Sequence, residues 1–436
     1  MTNETPDFFA QITPMLSAQE AQKIAATLDL RLPPPAFYAN PYPVYAALRE
    51  HEPVRRMPDG SVLITRYQDL IQVYRDAHTF SSDKKIEFAP KFEGAPHLFE
   101  HHTTSLIFND PPLHTQVRQI MMGALTRRAI DQMEGSLTEL VTRLADHIES
   151  QGAGDLIEDF AAAIPIEVIG NLLDIPHNER EPLRRWSLAI LGALEPKITA
   201  EQSQLGNTAV AEFLKYLKVL IADRRAHPGN PDGDVLTRLI QGERSDNGQP
   251  LTELELLHNC IFILNAGHET TTNLIGNALV ALQEWPVQKQ LLIQRIRDHQ
   301  HHKEALDDVL NTAVDEFLRF ESSNQLGNRR ATADCVVGGV PLTAGTLITL
   351  CIGSANRDPA QFERPEEMDI SRSNCKHLSF AFGIHQCAGL HLARLEGRVA
   401  LKIFLQRFPD YMLTAMPTRG GRARFRGFLN APFSLN

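Results

Sequence analysis

Apolar residues recur at helical spacing along most of this chain, and only short stretches alternate as strands do. A first helix is predicted over 41–49, where Pro43 suits an early turn and Tyr45 and Leu48 begin an apolar stripe. Ser61-Val62-Leu63-Ile64-Thr65 is β-like. The pattern is helical again over 124–149 until Gly152 and Gly154 break it, and 156–173 is strongly apolar up to Pro176. Pro, Gly and Asn residues over 227–233 predict a surface loop. The longest helix is predicted over 252–285. Thr252 and Glu255 match a capping box there, Pro286 blocks continuation, and at about 1.5 Å per residue the helix would run about 50 Å. Past Arg330, Val336-Val337-Gly338-Gly339-Val340 and Thr346-Leu347-Ile348-Thr349-Leu350 predict a small sheet. Leu390, Leu392, Ala393 and Leu395, interleaved with Arg394 and Glu396, predict a last helix. The chain is expected to be mainly α with minor β.

Composition changes this picture little. Hydrophobic residues make up 43% and charged ones 22%, both ordinary for a globular protein. We expect a single domain over 1–436, with 1–39 as an N-terminal extension and 40–436 as the core. Asn3, Glu4, Asp7, Gln11, Glu20 and Lys23 interrupt the first 32 residues, so neither a signal peptide nor a membrane anchor is expected. Five scattered cysteines, Cys260, Cys335, Cys351, Cys375 and Cys387, argue for a reducing compartment, and the protein is expected to be cytoplasmic. A net charge of −10 argues against nucleic acid as the main partner. Local basic groups at Arg127-Arg128, Arg184-Arg185 and 419–426 are expected to form solvated faces.

The chemistry concentrates in Phe380-Ala381-Phe382-Gly383-Ile384-His385-Gln386-Cys387-Ala388-Gly389. A thiolate that ligates a metal needs a tight loop with N–H groups turned toward the sulfur. Glycine lets the chain take such shapes. The helix predicted just after Gly389 would set Cys387 at the positive end of a helix dipole. Two plainer readings stand beside this one. Cys387 could be an ordinary buried thiol, or Cys375, His377, His385 and Cys387 could form a Cys₂His₂ zinc site.

The spacing F-x-x-G-x-x-x-C-x-G, followed by Leu392-Ala393-Arg394-Leu395-Glu396, resembles the haem-binding loop of the cytochrome P450 family. That resemblance implies a single triangular helical domain with small β-sheets, haem b with Cys387 as axial thiolate, and Gly389 in the cofactor site. The family's usual glycine after the phenylalanine is Ala381 here, a departure expected to touch packing more than ligation.

Ala266-Gly267-His268-Glu269-Thr270-Thr271 interrupts the long apolar helix. Gly267 costs about 1 kcal/mol against alanine in a helix interior, and Glu269 brings a polar group that needs a partner if buried. Read from the residues, this is either a local opening onto a ligand or a solvated turn. The resemblance makes it the oxygen-binding segment. Glu269 and Thr270 become the acid-alcohol pair that relays protons to bound dioxygen, Ala266 and Gly267 leave room for it, and His268 packs between helices.

Further positions follow from the resemblance in the same way. Glu316 and Arg319 match its buried structural ion pair, although Glu52/Arg55 and Glu181/Arg184 show the same spacing. His114 and Arg118 lie at i, i+4 on one helical face, and with His385 and Arg329 are assigned to haem propionates; Arg330 competes with its neighbour Arg329. Asn356-Arg357-Asp358-Pro359 also matches and looks structural. Phe262, Asn265, Gln325, Gly327 and Phe428 should approach a substrate pocket, together with 84–104. Asn265, Ser322, Ser323, Asn324 and Gln325 would make its wall polar enough for an oxygenated substrate, aromatic or terpenoid, unless they face solvent.

The function implied is a haem-thiolate monooxygenase, inserting one atom of O2 into a small or medium organic substrate by hydroxylation or oxidative dealkylation. The chain shows no flavin or iron–sulfur module, so NAD(P)H electrons are expected through a ferredoxin reductase and a ferredoxin-type donor. Arg118, Arg127, Arg128, Lys376 and Arg394 are candidates for steering that donor. A peroxygenase of the same fold and a non-catalytic haem-binding sensor are the alternatives; the Glu269-Thr270 pair argues against the first.

Overall fold

The long apolar stretch folds as one helix, Glu253–Glu284, and the other helices pack around it. In the computed structural model, which describes residues 13–231, 234–242 and 248–435, the Thr252 hydroxyl accepts from the Glu255 N–H at 3.3 Å. The Glu255 carboxylate accepts from the Thr252 N–H at 2.8 Å, completing the capping box. Trp285 ends the helix and Pro286–His299 starts the next one. Nearly every residue from Leu256 to Gln283 is buried, as befits a helix apolar on all sides.

Helices Ala163–Leu172, Glu181–Gly192, Ala200–Ala226, Lys303–Phe320 and Leu390–Arg407 all contact it. The last of these approaches closely because Gly397 has no side chain: a Cβ there would lie 3.3 Å from Leu274 and from Val314.

The β structure is small and distributed. Five strands pair in the order Val54–Arg56, Val62–Ile64, Leu347–Cys351, Leu326–Ala331, Phe80–Ser81. Only the pairing of Val62–Ile64 with Leu347–Cys351 is parallel. The sheet expected after Arg330 is in fact split. Cys335–Val337 and Val340–Leu342 form their own hairpin, while Leu347–Cys351 joins the larger sheet. Near the C-terminus Pro432–Ser434 pairs with Ala153–Asp155 and Met412–Leu413, and Thr418–Arg419 with Phe428–Asn430.

Two helical expectations also change. The stretch 124–149 is not one helix but the end of Leu113–Ala124, then Arg127–Gln132 and Glu134–Gln151. The Thr126 hydroxyl accepts from the Ala129 N–H and starts a new helix where apolar periodicity alone continues the old one. Gly152, at φ 69°, ends the third piece as expected. The stretch 156–173 opens with a π-helical turn, Leu156–Ala161, because the Asp155 carboxylate accepts from the N–H groups of Ile157 and Glu158. Residues 227–231 form the expected loop, whereas 232 and 233, like Asn3, Glu4, Asp7 and Gln11, lie outside the described residues. From the segment before residue 40, Ala25, Leu28 and Phe37 pack with Tyr45 and Leu63 in a buried cluster.

Candidate active site

The cysteine loop closes on itself. The Cys387 N–H donates to the Phe380 carbonyl at 2.9 Å and the Gln386 N–H to the Gly383 carbonyl at 3.0 Å. Gly383 is obligatory here: its φ is +74°, and a Cβ would stand 2.4 Å from the Tyr74 carbonyl oxygen. Helix Leu390–Arg407 begins three residues past the cysteine. Burial pushes the Cys387 thiol up, while the Gly389 N–H and the Arg118 and Arg394 guanidiniums pull it down. Without a metal the sulfur is a thiol; the donors to hold it as a thiolate are already in place. Ala381, expected to touch packing more than ligation, adopts φ +54°, so the departure from glycine falls on the backbone.

The zinc alternative does not hold. Cys375 and His377 turn to Asp315, at 3.5 Å from its carbonyl and 3.3 Å from its carboxylate. His385 lies against His114 instead, ring centroids 4.1 Å apart. Among the described residues no three His, Cys, Asp or Glu side chains converge as a metal-holding group.

Around Cys387 stands a group of donors with no carboxylate in hydrogen-bond or ion-pair contact; Asp110 acts on His114 and Arg329 only through space. His114 and Arg118 project from one face of helix Leu113–Ala124. Both ring nitrogens of His114 and Nε2 of His385 are buried and unpartnered. Burial drives His385 down to about 2, with Arg329, His114, Arg118 and Lys84 adding repulsion. Burial likewise takes His114 to about 4, with Arg118 adding to it. Arg330 resolves its competition with Arg329: it is paired with Glu87 at 2.6 Å, while Arg329 donates only to the neutral Asn328 carbonyl. Four donors beside a cysteine, none of them in an ion pair, fit the two propionates and the thiolate position of haem b.

The oxygen-segment helix is unbroken, so no local opening forms. Gly267 does not leave room for a ligand: a Cβ there would lie 2.5 Å from Ile169 Cδ1, and the close approach of helix Ala163–Leu172 offsets its helix cost. Ala266 is the exposed residue between Leu256 and Gln283 of this helix. The Thr270 hydroxyl donates to the Ala266 carbonyl at 2.7 Å. Glu269 is buried, its Oε1 paired with Arg422 at 2.5 Å and its Oε2 free of any partner. Burial raises its carboxyl, Arg422 lowers it in part, and Glu195 raises it further. His268 is 1% exposed with both ring nitrogens unpartnered, and burial takes it to about 3; it packs between helices as a neutral ring.

Glu316 and Arg319 are both wholly buried and bidentate, at 2.7 and 2.8 Å. Arg372 adds a second cation to Glu316 at 3.0 Å, and Arg319 also donates to the carbonyls of Asn356, Pro365 and Glu367. Of the pocket candidates, Gln325 is turned away: its amide donates to the Ser322 carbonyl at 2.7 Å and to the Tyr42 hydroxyl at 3.3 Å. Ser322 is spent on Leu318 and Asn356, and Ser322, Ser323 and Gln325 are buried rather than solvent-facing. Asn265 lies 3.3 Å from His101, Phe262 is half-buried, Gly327 sits in strand Leu326–Ala331, and the Phe428 ring carries Arg419 at 3.9 Å.

Sequence reasoning missed the 419–426 arginines. Expected as a solvated face, they turn inward: Arg419 and Arg426 to Glu321, Arg422 to Glu269, Arg424 to Asn328. The alternation Arg422-x-Arg424-x-Arg426 in the approach to a strand was the available signal, since such spacing gives a repeated side.

The family model described as cytochrome P450 matches residues 188–417. The polyketide biosynthesis cytochrome P450 PksS of Bacillus subtilis (strain 168) is 34% identical over 395 residues, covering 87% of this chain and 91% of that protein. The biotin biosynthesis cytochrome P450 of the same organism is 33% identical over 383 residues, covering 86% and 91%. Among solved structures, P450BioI in complex with hexadec-9Z-enoic acid ligated acyl carrier protein superposes with a TM-score of 0.84 at 30% identity, covering 92% of this chain and all of that one. Among the described residues no helix is long and apolar enough to cross a membrane.

Proposed function

The chain belongs to the cytochrome P450 family and is a monooxygenase that binds haem b and uses O2, and from that premise we propose which of its residues carry the reaction. Cys387 ligates the iron; His114, Arg118, Arg329 and His385 hold the propionates; Glu269 and Thr270 manage protons. Bound haem supplies dioxygen binding and oxygen-atom transfer. The residues of the chain do the rest. The Gly389 N–H, Arg118 and Arg394 favour the thiolate form of Cys387. Glu269 carries protons at Oε2, the oxygen that Arg422 leaves free, toward the Thr270 hydroxyl, which turns from the Ala266 carbonyl and gives up its own proton on the far side as it accepts one. Ala266 opens the helix face beside them, and its small side chain leaves space there.

The reaction is hydroxylation or oxidative dealkylation, with NAD(P)H electrons arriving through a ferredoxin. Arg127, Arg128 and Lys376 are exposed and can steer that donor, Arg127 with a loose ion pair to Asp131 at 4.0 Å, whereas Arg394 is committed to Asp315 at 2.7 Å. The polyketide relative and the acyl-carrier-protein complex make acyl chains, free or carrier-bound, the first substrates to try.

The observation that carries this reading is the unpartnered donor group around Cys387. It is tested by the absorption spectrum of the dithionite-reduced protein with and without carbon monoxide. A strongly red-shifted Soret band in the parent protein, lost in Cys387→Ala, is expected. Arg329→Met should keep the band but lose haem faster on gel filtration. A histidine-type band in the parent protein would overturn the assignment.

A further inference from the structure

Beyond the propionate donors lies a second group of interior cations that the reaction chemistry does not use. Lys84 is 4% exposed, and its ammonium has neither a hydrogen bond nor an ion pair. The carboxylate that acts on it, Glu87, is held at Oε1 by Arg330 and makes no hydrogen bond to Lys84. Lys91 donates to the Glu195 carbonyl at 2.6 Å and lies over the rings of Phe92 and Phe88. The Arg424 guanidinium reaches the carbonyls of Leu194 at 3.1 Å and Leu326 at 2.9 Å and the Asn328 side chain.

Lys91 and Arg424 are satisfied as donors by neutral oxygens, and the Glu195 carboxylate acts on both as a counter-charge. Glu195 also accepts from the Ala423 and Arg424 N–H groups, and Lys84 is the cation of this group whose head has no polar partner. Burial brings Lys84 to about 8 and Lys91 to about 7, with Arg424 repelling both. An unpaired ammonium in the interior is costly unless an anion joins it. Arg424 borders Gly327, whose two strand neighbours it grips.

We propose that Lys84, flanked by Lys91 and Arg424, receives the carboxylate of an acidic, chain-like substrate. The acid is anchored at the Lys84 ammonium, and its apolar part extends toward the haem site. This rests on the active-site reading above and adds the substrate class to it. The same carboxylate chemistry has a second source, a propionate of the haem, since Arg329 lies close to Lys84.

The test is spectral titration of the holoenzyme with octanoate, decanoate and dodecanoate and with the matching primary alcohols, in the parent protein, Lys84→Met and Lys91→Met. The parent should bind each acid at least tenfold more tightly than its alcohol. Lys84→Met should bring the ratio close to one through the acid alone. Equal affinities in the parent, or a ratio unchanged in both variants, would overturn the proposal. So would a Lys84→Met protein that keeps the ratio but loses haem or shifts its reduction potential, which would assign the carboxylate to haem. If the variants do not fold, the acid-to-alcohol ratio of the parent decides alone. Calorimetric binding of the same acids does not depend on thiolate ligation, so a failed carbon monoxide spectrum leaves this result standing on its own.

Discussion

Ala381 holds a backbone conformation that costs an L-residue about 1–2 kcal/mol, at φ +54°. Glycine avoids that penalty but gives up about 0.5–1 kcal/mol in unfolded-state entropy. Ala381→Gly should therefore raise stability by about 0.5–1 kcal/mol, read as a higher urea midpoint of the holoenzyme; a lower midpoint would mean that the methyl contributes packing worth more than the strain. The identity of the loop was legible because its chemistry is local: one cysteine, one obligatory glycine, one histidine. The strain was not, because φ at 381 is imposed by the bond from the Cys387 N–H to the Phe380 carbonyl, seven residues apart. The choice between Arg329 and Arg330 was legible in principle. Successive strand residues point to opposite faces, and only one face carries Glu87. Gln325 shows the opposite limit, for polarity says that a side chain needs partners and not which way it turns to find them.

The long helix was the most legible element, since cap, apolar run and closing proline agree on one length. The split of 124–149 was not, because Thr126 as a helix start looks like any surface threonine until its hydroxyl meets the Ala129 N–H. The cation of Glu269 was equally hidden, arriving from 153 residues away in the chain. Arg422→Met removes it and leaves a buried carboxyl on which burial and the Glu195 carboxylate both act in the raising direction, so its raised pKa should rise further. A carboxyl raised in the folded state contributes stability that is complete below its unfolded value of about 4.5 and fades as pH climbs through the folded value. The variant should thus lose about 2 kcal/mol near neutral pH and much less at pH about 5. Thermal melts across that range check this, and adding Glu269→Gln should remove the extra pH slope. A uniform loss at every pH would show Arg422 to be merely a packing residue.

At the scale of the molecule, the net charge of −10 describes the surface and hides an interior rich in ionisable groups. Glu396 is the extreme case. It is 2% exposed on helix Leu390–Arg407, beside the close crossing at Gly397, and its Oε2 has no partner. Burial alone pushes its carboxyl up to about 8. By the same sign rule, its contribution is complete below pH about 4.5 and disappears by about 8, at a slope near 1.4 kcal/mol per pH unit. Raising pH also adds negative charge everywhere, which loosens any acidic protein through self-repulsion. The isosteric Glu396→Gln separates the two effects, because it alters one site and leaves the surface as it was. Urea unfolding should find variant and parent indistinguishable at pH about 5 and the variant more stable by a few kcal/mol at pH about 8. A variant weaker than the parent at the higher pH would mean that Glu396 is ionised and paired there, and that the three-helix crossing behind the cysteine is held by charge rather than by apolar packing.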